Sequence, residues 1–218
     1  ADYEFMGLKC SIGEVSNRIQ ASELQDKGVL ANCHVNVLQT QDHPQFKTYG
    51  EELKWLTTDK TRMKWVANTI KDIASSGNTL ILVDRISAGE ILEEQIEDAV
   101  FVSGSTKNTD RKEQYDEIST ATNKVIIATY GVAAVGINIP RIFNLVLIEP
   151  GKSFVRVIQS IGRGIRKAED KENVQIWDIT SSCKFAKRHL GARKKFYKEA
   201  NYPYNIEKVN YENPYTGK

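Results

Sequence analysis

Lys124–Glu149 reads KVIIATYGVAAVGINIPRIFNLVLIE. Two apolar runs, Lys124–Thr129 and Asn144–Glu149, flank a small-residue stretch that begins a helix at Gly131. Runs without a polar alternation fit strands buried on both faces. Strand, helix and strand in this order form a crossover that lays its two strands parallel. The same alternation extends in both directions. Upstream, Thr79–Val83 (TLILV) is a strand, and Ser87-Ala88-Gly89-Glu90 reads as a capping box opening a helix to about Ile96. Val100–Val102 is the next strand, and Thr109-Asp110 caps a helix to about Ser119. Downstream, Ser153 caps a helix to about Lys167, and Val174–Ile179 is a further strand. The expected class is α/β, a mainly parallel sheet with helices on both faces.

Ahead of this series, Lys60–Ser76 is an amphipathic helix. Met63, Val66, Ala67, Ile70, Ile73 and Ala74 share one stripe, and Gly77 stands where a C-terminal cap belongs. Val35–Leu38 reads as a strand, and Ala21–Gly28 as a short helix or turn. After Ile179 comes a helix from Lys184 to about Ala200, then a Tyr-, Pro- and Asn-rich tail read as a packed or partly frayed extension. The chain divides into a lead-in segment 1–58, an α/β domain 59–180 and a basic C-terminal helix and tail 181–218.

The 218 residues have room for one nucleotide-binding lobe, since two such lobes need roughly 100–200 residues each. Thirty basic and 28 acidic residues leave a net charge of +2, so only local clustering can mark a nucleic-acid surface. Three cysteines, Cys10, Cys33 and Cys183, are too few and too scattered for a disulfide framework or a zinc site, and they suit a reducing compartment. Cys33, His34 and His43 make no metal constellation. No apolar run approaches the roughly 18 residues of a membrane span. The start, Ala1-Asp2-Tyr3-Glu4, is too acidic and polar for a signal peptide. Trp55, Trp65 and Trp177 fit a core better than stacking platforms.

The phosphate-binding loop GxxxxGK[ST] is missing. Gly151-Lys152-Ser153 follows a strand, but Val146 occupies the leading glycine position, and Pro150 removes a donor from a loop that works by donating N–H groups. The strongest chemical signal is Gln159-Ser160-Ile161-Gly162-Arg163-Gly164-Ile165-Arg166. On a helix Gln159, Arg163 and Arg166 share a face, beside an apolar face of Val155, Ile158, Ile161 and Ile165. Two interior glycines cost about 1 kcal/mol each, which suggests close approach by a ligand or another backbone. Paired guanidiniums suit phosphoryl oxygens that gain charge during transfer. The same spacing also fits a surface helix with solvated arginines.

Other candidates lie at strand ends, where open α/β sheets bind ligands. Thr129 and Gly131 suit a backbone phosphate; Gly136 and Asn138 suit a nucleotide edge, or a tight turn that needs glycine. Ser103-Gly104 with Arg111 form a hydroxylic loop beside a base. Arg85 suits a phosphate, or a pairing with Asp84 or Glu90. On the C-terminal helix, Lys184, Lys187, Arg188, Arg193, Lys194, Lys195 and Lys198 interleave with Phe185, Phe196 and Tyr197. That pattern fits a nucleic-acid track and, equally, a solvated helix whose aromatics pack inward.

Taken in order, these segments resemble the second RecA-like lobe of superfamily 2 helicases and translocases, a P-loop NTPase type of fold. TLILVDRISAGEIL is similar to motif IV, FVSGSTKNTDR to motif IVa, VIIATYGVAAVGINIP to motif V and QSIGRGIRK to motif VI. ASELQDKGVL (Ala21–Leu30) resembles the inter-lobe stretch of the phage UvsW-type branch. The resemblance implies an ATP-dependent helicase that unwinds DNA or migrates branches. ATP and Mg2+ are held mainly by an N-terminal RecA-like lobe. Arg163 and Arg166 face the γ-phosphate, and Gln159 couples the lobes. Gly136, Asn138 and Gly162 take nucleotide-binding roles. Arg85, Ser103, Gly104, Arg111, Thr129 and Gly131 touch a DNA or RNA backbone. Asn138 stands where motif V commonly carries Asp, so its role there is weakened. The expected partners are nucleic acid and the N-terminal lobe, with no membrane, in the cytoplasm (the host's if phage-encoded). A chain that begins with Ala and lacks half of its site reads as a fragment, inactive alone. A restriction or remodelling translocase and a non-catalytic nucleic-acid-binding module are the alternatives; a Rossmann enzyme is disfavoured by the missing GxGxxG.

Overall fold

The computed structural model describes residues 33–104, 123–135, 142–151, 154–165 and 174–212, with only the helical backbone for 162–165. Among the described residues seven strands form one parallel sheet. They are β1 (Cys33–Thr40), β2 (Thr79–Val83), β3 (Val100–Val102), β4 (Val125–Thr129), β5 (Asn144–Ile148), β6 (Val174–Ser181) and β7 (Tyr204–Val209). The spatial order is β3-β4-β2-β5-β6-β1-β7. In register, Leu80 faces Ile126 on one side and Leu145 on the other.

Each apolar run divides its residues between two cores, because successive strand side chains point to opposite faces. Leu80, Leu82, Ile126, Ala128, Leu145 and Leu147 lie in one core, with α4 (Tyr130–Ala134), α5 (Phe154–Ile165) and α6 (Lys184–Glu199). Ile81, Val83, Ile127, Val146 and Ile148 lie in the other, under α2 (Lys60–Ala74) and α3 (Ile86–Gln95). All six residues of the stripe expected on α2 are buried. The fold class is therefore the one the apolar runs imply.

Several details differ from the sequence reading. A helix α1 (Tyr49–Thr58) precedes α2; the Thr48 hydroxyl caps it by accepting from the Glu51 N–H at 3.2 Å. Asp59 closes α1 and caps α2, its carboxylate accepting from the Arg62 N–H at 3.0 Å. Helix α3 starts at Ile86 rather than at a Ser87 capping box. The N–H groups of Ala88 and Gly89 close onto the Arg85 carbonyl, so Ser87 falls inside the first turn. The tail contributes β7, paired with β1. The helix expected at 109–119 and the segment Ala21–Gly28 lie outside the described residues.

Candidate functional site

Parallel strands bring their carboxyl ends to one edge, and charged residues gather there. Arg62, on α2, is fully buried. It donates Nη1 to the Leu56 carbonyl (2.6 Å), Nε to Thr40 Oγ1 (3.1 Å) and Nη2 to Glu149 Oε1 (2.5 Å). Glu149 follows β5 in a left-handed conformation, φ 45°. Burial pushes its carboxyl up to about 7, against the downward pull of Arg62 and Arg193. Arg193, on α6, grips Asp178 of β6 with a fork of two donors, Nε to Oδ2 at 2.7 Å and Nη2 to Oδ1 at 3.0 Å. The Tyr197 hydroxyl donates to the same carboxylate at 2.7 Å. Burial opposes the Arg193 charge most strongly, but Asp178, Tyr197 and Glu149 together outweigh it, so the guanidinium is held more firmly protonated than usual. Its remaining fork arm, Nη1, donates to the Pro150 carbonyl at 2.7 Å. Two buried arginines thus hold Glu149 and Pro150, the consecutive residues that follow β5.

The sequence reading did not single out Arg62, Glu149 or Asp178, and it placed Arg193 among the solvent-facing cations. A signal existed. Glu149 and Asp178 are acids attached to apolar strands, and a buried acid requires a buried partner. Arg62 adjoins the apolar stripe of α2, and Arg193 shares the helical face of Ala186, Leu190 and Tyr197.

Helix α5 carries Gln159, half-buried, and the backbone of Gly162 and Arg163. Its Val155, Ile158 and Ile161 are buried in the core. The ends of the neighbouring strands β3, β4 and β2 bring up Ser103 and Gly104, then Thr129 and Gly131, then Arg85. Ser103 is buried, and Gly104 and Gly131 are exposed. The Thr129 hydroxyl caps α4, accepting from the Val132 N–H at 3.2 Å. Arg85 donates Nη2 to the Gly50 carbonyl at 3.2 Å. Arg111, Gly136, Asn138 and Arg166 lie outside the described residues, as do Lys152 and Ser153.

Residues 61–168 match the family described as the helicase conserved C-terminal domain. The ATP-dependent DNA helicase uvsW of Enterobacteria phage T4 is 27% identical over 204 residues, covering 88% of this chain and 40% of the phage protein. This chain is a RecA-like C-terminal lobe of a superfamily 2 helicase, related to the phage UvsW-type enzymes. Putative helicase 22 of a Sulfolobus islandicus filamentous virus is 29% identical over 137 residues, covering 61% of the lobe and 24% of the viral protein. The lobe thus spans 40% and 24% of these two relatives. The crystal structure of T4 UvsW shares the fold, with a TM-score of 0.72 at 23% identity over 82% of the lobe and 42% of that chain. So does the E. coli DEAD-box protein SrmB, solved bound to regulator of ribonuclease activity A. Its TM-score is 0.55 at 16% identity, over 86% of the lobe and 97% of that chain.

The helicase lobe carries no phosphate-binding loop of its own. Among its described residues no three His, Cys, Asp or Glu side chains are grouped to hold a metal ion. Nor is any described helix long and apolar enough to cross a membrane. His34 bonds Asn205 at 2.8 Å. Burial pushes the Cys33 thiol up to about 12, away from thiolate chemistry. Trp177 sits against the core with its indole N–H donating to Asn144 Oδ1 at 3.3 Å. At the start of α6, the buried Glu52 carboxylate accepts the N–H groups of Phe185 and Ala186, both at 2.9 Å. This caps the helix from α1 and favours its positive N-terminal end. Phe196 and Tyr197 pack on Phe154, with ring centroids 5.1 and 5.9 Å away, so the aromatics on that side of α6 face inward.

Proposed function

We propose that the lobe is half of an ATP-driven DNA motor and supplies one wall of its ATP site. In this reading Arg163 and Arg166 reach the γ-phosphate, and Gln159 couples closure of the lobes to hydrolysis. Gly136, Asn138 and Gly162 line the nucleotide. The Mg2+ and most ATP contacts come from an N-terminal RecA-like lobe. Arg85, Ser103, Gly104, Arg111, Thr129 and Gly131 hold the nucleic-acid backbone. Segment 59–180 is then the motor lobe proper, 1–58 the lead-in and 181–218 a basic extension, at work in the cytoplasm. DNA is preferred over RNA because the phage relative is named a DNA helicase.

The observation that carries this reading is the launch of α5. The helix bearing Gln159 and Arg163 leaves the carboxyl edge next to the strand ends that carry Arg85 and Thr129, and two buried arginines hold Glu149 and Pro150, which directly follow β5. A rigid support suits a guanidinium that must meet a phosphoryl group within a few tenths of an ångström. Backbone contacts fix position and carry no sequence information, so unwinding without sequence preference is expected.

The test is ATP turnover by an enzyme holding both lobes. Arg163→Ala and Arg166→Ala should each lower turnover by about 10³-fold or more, the range for arginines that stabilise phosphoryl transfer. Affinity for a fluorescent ATP analogue should stay within about threefold, because the effect belongs to the transition state. Unchanged turnover in either variant refutes that residue's role.

A further inference from the structure

Helix α6 has a second surface that the strand-end reading does not use. Lys184, Lys187, Arg188, Lys194, Lys195 and Lys198 recur at intervals of three, four or seven, which puts them on one side of the helix. The opposite side, with Ala186, Leu190, Arg193, Phe196 and Tyr197, is buried. Of the six cations five are exposed and Lys194 is half-buried. The helix contains a single acid, Glu199, and it is buried. A face shaped for solubility alone mixes the two signs. Here six positive groups follow one line in a chain whose whole net charge is +2. From Lys184 to Lys198 the line runs about 21 Å at 1.5 Å per residue, the length of a few nucleotides.

The line starts at the carboxyl edge of the sheet, just after β6. The Tyr49 ring lies 4.9 Å from that of His189 and 6.4 Å from that of Phe185. Lys184 Nζ and the Arg188 guanidinium sit 5.4 and 5.6 Å from the Phe185 centroid. Next to Tyr49, the Gly50 carbonyl holds Arg85. These contacts connect the β2 strand end, the start of α1 and the cationic side of α6. The half-buried rings of Tyr49, Phe185 and His189 stand where the path turns onto the helix.

We propose that the cationic side of α6 is a second track for single-stranded nucleic acid, gripping its phosphates as the strand leaves the edge across Tyr49 and Gly50. A single line of cations matches one phosphate backbone, and partly exposed rings suit bases freed from a duplex. The track extends the strand-end reading from the shared edge, and the two can fail separately.

The test uses the whole chain and a fluorescein-labelled oligothymidine followed by anisotropy. Gly191 lies amid the cations, is exposed, and a Cβ there meets nothing within 4 Å. Gly191→Glu therefore puts an acid in the track with a better helix former and no clash. It should melt no lower than the parent and bind about tenfold more weakly. Lys187→Ala with Lys198→Ala should lower the salt slope by about 1.4, at about 0.7 per lost single-strand phosphate contact. Lys71→Glu, on the helix across the sheet, makes the same kind of charge change and should leave affinity within about threefold. Equal binding by the parent and both α6 variants would overturn the track. So would no binding by the parent at low salt, a loss equally large for Lys71→Glu, or a blunt duplex held as tightly as the single strand. If Arg85→Ala leaves affinity unchanged while the α6 variants lose it, the track stands and the strand-end role of Arg85 fails.

Discussion

Arg193 and Asp178 exchange two charge-assisted hydrogen bonds in a region closed to water, and each depends on the other to be tolerated there. Replacing Arg193 with Met leaves the Asp178 carboxylate buried and, among the described residues, bonded by the Tyr197 hydroxyl alone. The expected loss is about 3–5 kcal/mol in urea unfolding. Arg193→Met with Asp178→Leu should recover part of it, since no unpaired charge remains. Glu149 gives a different signature. Its folded carboxyl titrates at about 7, against an ordinary value of 4.5, so between those values the folded state holds a proton that the unfolded chain has released. Glu149 thus makes stability fall as pH rises from 4.5 to 7, and Glu149→Gln should flatten that part of a stability–pH curve. A steeper fall in the variant would contradict the assignment. At this scale the sequence was legible for α5, whose glycines and arginines stand out locally. It was opaque for the charge network, because Arg62 and Glu149 are 87 positions apart. Arg193 was hidden by its neighbours: six cations that face outward masked the one in phase with the apolar side.

Elements were legible where burial is two-sided. β2, β4 and β5 have only buried or nearly buried positions, so their apolar runs mark them directly. β7 is an edge strand with mostly exposed positions, and YNIEKV carries no such mark; its partner β1 defines it. Helix α1 was hidden because its apolar residues are few and its buried Glu52 serves another helix. Two glycines show how the same substitution takes opposite signs. Gly77 joins α2 to β2 at φ 153°, and a Cβ there would meet the Phe143 Cβ at 3.0 Å. Gly77→Ala should cost on the order of 1–3 kcal/mol. Gly191 lies inside α6 in open space, so Gly191→Ala should stabilise by up to about 1 kcal/mol. Thermal melting of both variants checks the pair, and a shift of the same sign in both would refute the account.

At the scale of the molecule, an all-parallel sheet has a consequence that no single residue carries. Every strand end, and the turn that launches α5, comes to one edge, while the helices cover the two faces. The lobe lacks the loop that grips a triphosphate, and in the proposed reading this edge is one wall of a two-walled site. In that proposed reading, motion between two lobes couples hydrolysis to gripping and releasing a strand. The most direct measurement is a crystal structure of the two-lobe enzyme with a non-hydrolysable ATP analogue, read at the Arg163 guanidinium. The account predicts that group within about 3 Å of a γ-phosphate oxygen. A guanidinium turned away from the nucleotide, or locked in an ion pair inside its own lobe, would contradict it.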